Sequence, residues 1–235
     1  EDYTAGFPWH PHRGIETITY LVEGEIEHGD SLGNTGVIGS GECQWMRAGS
    51  GIVHQEMPQA AQRMLGLQIW LNLPAKDKMA TPKYNGITKE EVPVVNEPGV
   101  EVRVLAGHYK DVKGATQGDN VKATYLDVTM EAGASWHLET DPGQTLFIYA
   151  FYGEAIFGKD EQPTASRQAV LFDYAQTFSA KAPKTATRFV LLMGSPLKEP
   201  IAWGGPIVMN SKEALNEAFQ ELEKGTFIKE AGVKA

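Results

Sequence analysis

The stretch GFPWHPHRGIETITYLVEGEIEHGDSLGNTGVIGSGECQWMRAGSGIVHQEMP, residues 6–58, carries a pair of metal-ligating residue types near each end. His10 and His12 form the first pair, His54 and Glu56 the second. Each is spaced i, i+2, so on a β-strand both members of a pair point to one face of the sheet. Two such strands facing one another aim three imidazoles and one carboxylate at a single point. Between the pairs, short apolar runs are cut by glycine. ETITYLV, residues 16–22, is rich in β-branched and aromatic residues, and EGE and HGDSLGNTG behind it supply turn chemistry. Strands are predicted next at Gly36 to Ile38, Cys43 to Met46, Ile52 to Glu56 and Leu65 to Leu73, with breaks at GSGE, RAGSG and the Asn72–Pro74 corner. Short strands at roughly ten-residue spacing predict a barrel or sandwich.

From Pro74 to Pro98 the alternation lapses, and this proline-punctuated stretch reads as an ordered connection between two halves. Thr88 and Glu91 are placed to cap one helical turn within it, which Pro93 would end. The expected domains are 1–98 and 99–235. The second half returns to strands at Val100 to Leu105, Ala123 to Met130, Thr145 to Phe151, Glu154 to Phe157, Gln168 to Phe172 and Thr187 to Met193. YAFYGEAI, residues 149–156, echoes YLVEGEI, residues 20–26, which predicts two β-barrel units with a shared plan. A helix is predicted near the carboxy terminus, with Asn210 and Glu213 as a capping pair, Leu215, Ala218, Phe219 and Leu222 on one face, and Gly225 just past its end.

Composition narrows the function classes. The 235 residues are 42% hydrophobic and 22% charged, as in ordinary globular proteins, so no long disordered stretch is expected. A net charge of −9 repels phosphate backbones and argues against direct nucleic-acid binding. One cysteine, Cys43, excludes an intramolecular disulfide. Apolar runs such as Phe189 to Met193 are far shorter than a membrane-spanning helix, and nothing resembles a signal peptide. The expected location is the cytoplasm, or the nucleus in a eukaryote.

Three imidazole nitrogens and one carboxylate oxygen suit non-haem iron, and equally manganese, nickel, copper or zinc. Structural zinc sites are usually cysteine-rich, and Cys43 lies outside both motifs. An octahedral ion with four protein ligands keeps two positions for water, dioxygen or a chelating substrate.

The segment from His10 to Pro58 closely resembles the defining segment of the pirin family, a branch of the cupin superfamily. The likeness continues through LQIWLNLPAKDKMATPKY and ends in WGGPIVMNSKEALNEAFQELEKGTF. It implies an all-β bicupin, two jelly-roll barrels with a C-terminal helix, holding one Fe(II) in the amino-terminal cupin through His10, His12, His54 and Glu56. Pirin-like chains carry a longer segment before the H-x-H motif, so the first barrel is expected to lack opening strands or to be completed otherwise. Glu16 sits where many cupins place a metal-binding glutamate but is set aside, as a strand residue paired with Arg13 or another neighbour. In the second half only His137 occupies the corresponding place, and it reads as structural or surface-exposed, leaving that cupin metal-free.

Other candidates lie beside the ligands. Phe7, Trp45, Met46 and Met57 are assigned to an apolar pocket or the core, and Gln44 and Gln55 to hydrogen bonds with ligands or substrate. Cys43 reads as a small buried apolar residue rather than a redox reporter.

The resemblance implies a quercetin 2,3-dioxygenase-like enzyme that opens flavonols with dioxygen, Glu56 acting as proton acceptor. The competing reading is a non-catalytic, iron-dependent regulator that binds a transcription factor or metabolic enzyme. A metal-dependent isomerase follows from the fold alone.

Overall fold

The computed structural model describes residues 5–159, 162–173 and 176–229. The chain divides into two compact units, one of residues up to Lys89 together with those from Lys198, the other Glu90–Leu197.

The first unit opens with eight strands: β1 Phe7–His12, β2 Ile15–Glu23, β3 Ile26–Asp30, β4 Thr35–Ile38, β5 Cys43–Arg47, β6 Ile52–Pro58, β7 Leu65–Asn72 and β8 Lys83–Ile87. They form two antiparallel sheets, in the orders β1-β6-β3-β4 and β7-β2-β5-β8. Apolar side chains from both meet between them. Leu21 packs with Ile26 and Ile38 at one end, and Ile15 with Met46, Ile52 and Val208 at the other. Interdigitated inner faces of this kind make the two-sheet core of a jelly roll. In β2 every residue but the last is buried, as a central strand requires.

Three elements in this part of the chain were not expected. IEHGD looks like a turn yet forms β3, because it pairs on both sides, with β4 and β6. The proline-rich connection holds a 3-10 turn, Ala75–Asp77, and supplies β8 as an edge strand on β5. Lys78, which follows that turn, is buried, and its Nζ donates to the carbonyls of Gly14 and Val208, at 2.7 Å each, and to Asn72. The cap expected at Thr88 yields only a turn.

The second unit contains β9 Val94–Glu97, β10 Val100–Ala106, β11 His108–Tyr109, β12 Val112–Lys113, β13 Ala123–Met130, β14 Ser135–Glu139, β15 Thr145–Tyr152, β16 Glu154–Phe157, β17 Thr164–Ala165, β18 Ala169–Phe172, β19 Thr177–Lys181 and β20 Thr187–Gly194. A six-stranded sheet, β18-β15-β20-β13-β10-β9, packs through one core with a four-stranded sheet, β14-β19-β16-β17. Trp136, Phe157, Phe178 and Phe189 fill that core with ring centroids 5.0–6.4 Å apart. The sequence echo marks one device used twice. At Gly24 (φ +97°) β2 leaves one sheet and β3 enters the other, and Gly153 (φ +71°) joins β15 to β16 in the same way. The expected all-β bicupin architecture is thus the one observed.

After Leu197 the chain returns to the first unit with the hairpin β21 Ala202–Gly204 and β22 Ile207–Met209, then α1 Lys212–Glu223. Ser211, rather than Asn210, caps the helix, its side chain accepting from the Ala214 amide. Ala218 is buried against Ile207, Met209 and Phe227, with Leu215 and Leu222 beside it, while Phe219 is about one third exposed. Residues from Lys198 onward, expected within a second domain 99–235, belong to the first compact unit. They pack there because Arg13, buried under the helix, bonds to the Phe227 carbonyl and to Glu221.

Candidate metal centre

The two strands that carry the predicted ligand pairs are hydrogen-bonded neighbours in one sheet rather than strands facing each other across the core. β1 and β6 run antiparallel, with His10 opposite His54 and His12 opposite Ile52. Side chains opposite one another on paired strands share a face. Along β6, Ile52, His54 and Glu56 all turn inward, as the i, i+2 rule requires. The rings of His10, His12 and His54 gather with centroids 4.4–5.0 Å apart, and one nitrogen from each lies within 4.8 Å of the others. The Nε2 atoms of His10 and His12 are 3.1 Å apart.

Backbone carbonyls fix two of these rings. His10 Nδ1 lies 2.8 Å from the Pro8 oxygen and His12 Nδ1 lies 3.1 Å from the Pro206 oxygen. A carbonyl only accepts, so Nδ1–H donates in both and each Nε2 presents its lone pair to the shared point. His54 is fully buried, and neither of its nitrogens has a hydrogen-bond partner among the described residues. Burial lowers the His12 pKa to about 4, with the Pro206 bond opposing and His10 assisting. Burial lowers His54 to about 2, assisted by its three histidine neighbours. At neutral pH His12 and His54 are therefore uncharged, the form that coordinates a metal.

Glu56 is held differently. Its Oε1 accepts from Thr19 Oγ1 at 2.7 Å and from Gln44 Nε2 at 3.3 Å, and its Oε2 accepts a short bond from Gln68 Nε2. These donors come from the opposite sheet, where Gln68, Thr19 and Gln44 stand in one cross-strand row over β7, β2 and β5. Glu56 is thus a carboxylate caged beside the imidazole cluster and lies outside the group within 4.8 Å. A cavity of about 290 Å³ reaches it, lined by Phe7, Leu21, Ile26, Met64, Glu56 and Gln68 among others.

Phe7 lies on this cavity, whereas Met46 is core and Trp45 is buried with its indole donating to Glu16 at 2.8 Å. Glu16 is therefore paired, as expected, but with Trp45. Arg13 instead bonds to the Ser50 and Phe227 carbonyls. Gln44 reaches Glu56, while Gln55 lies near Gly29. Burial raises the Cys43 pKa to about 12, which keeps it an unreactive thiol. His137 is exposed, and among the described residues the second unit brings together no comparable ligand group.

Sequence reading missed Pro206, Thr19 and Gln68. It also missed His28 and Asp30 on β3, which adjoin His54, and Tyr84 on β8, which stacks on His28. Polar residues recurring on apolar strands were the available signal, but only the register places them in a row.

Residues 1–71 match the Pirin family model, and residues 125–228 match that of the Pirin C-terminal cupin domain. A pirin-like protein of Caulobacter vibrioides is 40% identical over 229 residues, covering 96% of this chain and 82% of its own. The chain belongs to the pirin family. A quercetin 2,3-dioxygenase structure from Acinetobacter baumannii superposes on this pirin with a TM-score of 0.86 at 35% identity, over 94% of this chain and 79% of that one. A bacterial pirin from Escherichia coli in complex with nickel(II) matches with a TM-score of 0.64 at 25% identity, over 81% and 76%. The histidine cluster of this pirin fits a divalent transition metal. Its His54 nitrogens are buried and unsatisfied, which costs free energy unless an electrophile meets them.

Proposed function

We propose that the chain is a quercetin 2,3-dioxygenase-type enzyme in which His10, His12, His54 and Glu56 hold one iron(II) ion, Glu56 also serving as proton acceptor. The observation that carries this reading is the cluster of three imidazoles, two tautomerically fixed and the third buried and unsatisfied, together with a cavity that ends on a caged carboxylate. The likeness to the Acinetobacter enzyme supports the substrate class, and the nickel(II) complex of the Escherichia coli pirin supports a divalent metal. When bound, the ion supplies Lewis acidity and open positions for a chelating hydroxy-ketone and for dioxygen.

The chain's own residues do the rest. Phe7, Leu21, Ile26 and Met64 give the cavity apolar walls that receive a flat aromatic ring and exclude water. Glu56 takes the flavonol hydroxyl proton, and the cage determines how. The Gln44 and Gln68 amide nitrogens only donate to Glu56, so neither can accept a proton back from it. Thr19 Oγ1 donates to Glu56 and lies 3.2 Å from Gln68 Nε2, as an acceptor for it. Its hydroxyl can rotate, so it adapts to either protonation state of the carboxylate. The deprotonated flavonol then reacts with dioxygen, both of whose atoms enter the product. Two bonds of the central ring break, the carbon between them leaves as carbon monoxide, and a depside, an ester bearing a new carboxylate, is released.

The test is oxygen uptake with quercetin after anaerobic iron(II) loading, comparing the unsubstituted protein with His54→Ala and Glu56→Gln. Turnover that falls at least a hundredfold in both variants is expected. No uptake by the iron-loaded protein removes the oxygenase reading, and undiminished turnover in both variants removes the site.

A further inference from the structure

His10 and His12 each hand their second nitrogen to a backbone carbonyl, but His54 has no such acceptor among the described residues. Beyond the other two cluster histidines, its polar neighbours lie on β3, where Asp30 stands opposite His54 and His28 opposite Glu56, so all four side chains share one face. His28 and Asp30 are both buried. His28 Nε2 lies 3.2 Å from Asp30 Oδ2. An ionised carboxylate only accepts, so Nε2 carries a hydrogen, and in the Nε2–H tautomer Nδ1 is left as an acceptor. That Nδ1 is buried and has no partner among the described residues. Tyr84 stacks on the His28 ring, centroids 4.7 Å apart and 25° from parallel, and limits its rotation. Asp30 is fixed in turn by the amides of Leu32 and Asn34. The His28 and His54 rings are 5.7 Å apart. A buried donor lacking an acceptor thus adjoins a buried acceptor lacking a donor.

We infer that His28 is a positioning residue for His54, its Nδ1 accepting, through one water, the N–H on the His54 nitrogen turned away from the shared point. Asp30, His28 and His54 then form a carboxylate–imidazole–imidazole chain that sets the tautomer and aim of the third ligand, as the Pro8 and Pro206 carbonyls do for the other two. The inference rests on the metal-site reading above. It assigns His28 no coordination, consistent with its position outside the ligand group.

The experiment is anaerobic cobalt(II) titration of the full chain, read as dissociation constant and as the visible ligand-field spectrum, with thermal melting as a control for folding. His28→Phe keeps a ring against Tyr84 and removes the acceptor. It is expected to weaken cobalt binding about 10–100-fold and to alter the spectrum. His28→Gln, which restores a carbonyl acceptor, is expected to recover part of both. Asp30→Asn keeps an oxygen for the Leu32 and Asn34 amides but removes the charge that orders the His28 tautomer. It is expected to shift the spectrum, and it decides the matter if His28→Phe fails to fold. Unchanged affinity and spectrum in a folded His28→Phe or in Asp30→Asn overturn the inference alone. Failure of the unsubstituted protein to bind cobalt, or binding that survives His54→Ala, overturns the metal-site reading and this inference with it.

Discussion

Neutral imidazoles buried at His12 and His54 tie stability to acid. Their folded pKa values, about 4 and about 2, lie below the usual value of 6.5, so between pH 6.5 and 4 the unfolded chain binds more protons than the folded one. Stability therefore falls as pH drops through that window, by up to roughly 1.4 kcal/mol per pH unit for each group, and their contribution is complete above pH 6.5. Urea melts of metal-free protein at pH 7.5, 6 and 5 are expected to show a steadily falling midpoint, and replacing His54 by Asn to flatten the trend. The carboxylate cage gives a second expectation. Thr19→Val removes the hydroxyl facing Glu56 Oε1 with little change of shape and is expected to cost about 1–3 kcal/mol of stability. Quercetin-dependent oxygen uptake is expected to fall in this variant while bound iron stays at the unsubstituted level. At this scale the histidine pairs were legible because the two-residue rule is local. The cage was not, since Gln68, Thr19 and Gln44 are separated in sequence and only strand register aligns them.

Among the elements, strands with continuous β-branched and aromatic runs were read to within a residue or two, as in Ile15–Glu23 and Ala123–Met130. Among those missed, Ile26–Asp30, Lys83–Ile87 and Ser135–Glu139 are short and half polar, and each has a ladder partner distant in sequence. Tertiary pairing overrides propensity there. The echoed corners make an element-scale prediction. A Cβ on Gly153 would sit 2.2 Å from the Ala186 carbonyl oxygen, at a φ that side chains rarely adopt. Gly153→Ala is expected to destabilise the protein by at least about 2 kcal/mol, read by thermal or urea unfolding. The helix start has a milder dependence. Ser211→Ala removes the cap accepting from Ala214 and is expected to cost about 1 kcal/mol.

For the whole molecule, the sequence conveyed two β-units but not that the chain's end returns to the first of them. The reason is that the return is made by contacts rather than by pattern. Arg13, adjoining His12, holds the Ser50 carbonyl at 2.7 Å, the Phe227 carbonyl at 2.8 Å and Glu221 at 2.7 Å, while Pro206 on the same returning segment orients His12. Arg13→Ala strips a buried charge from these partners and is expected to cost about 3–5 kcal/mol by urea unfolding, with weaker metal binding alongside. Among the described residues no helix is long and apolar enough to cross a membrane. The central claim is that residues of the first unit alone hold one catalytic ion. It is tested most directly by counting iron(II) bound per chain in anaerobic equilibrium dialysis, for the unsubstituted protein and for His54→Ala. One ion per chain, lost in the variant, is the result predicted; no ion in the unsubstituted protein, or the same ion retained without His54, would contradict it.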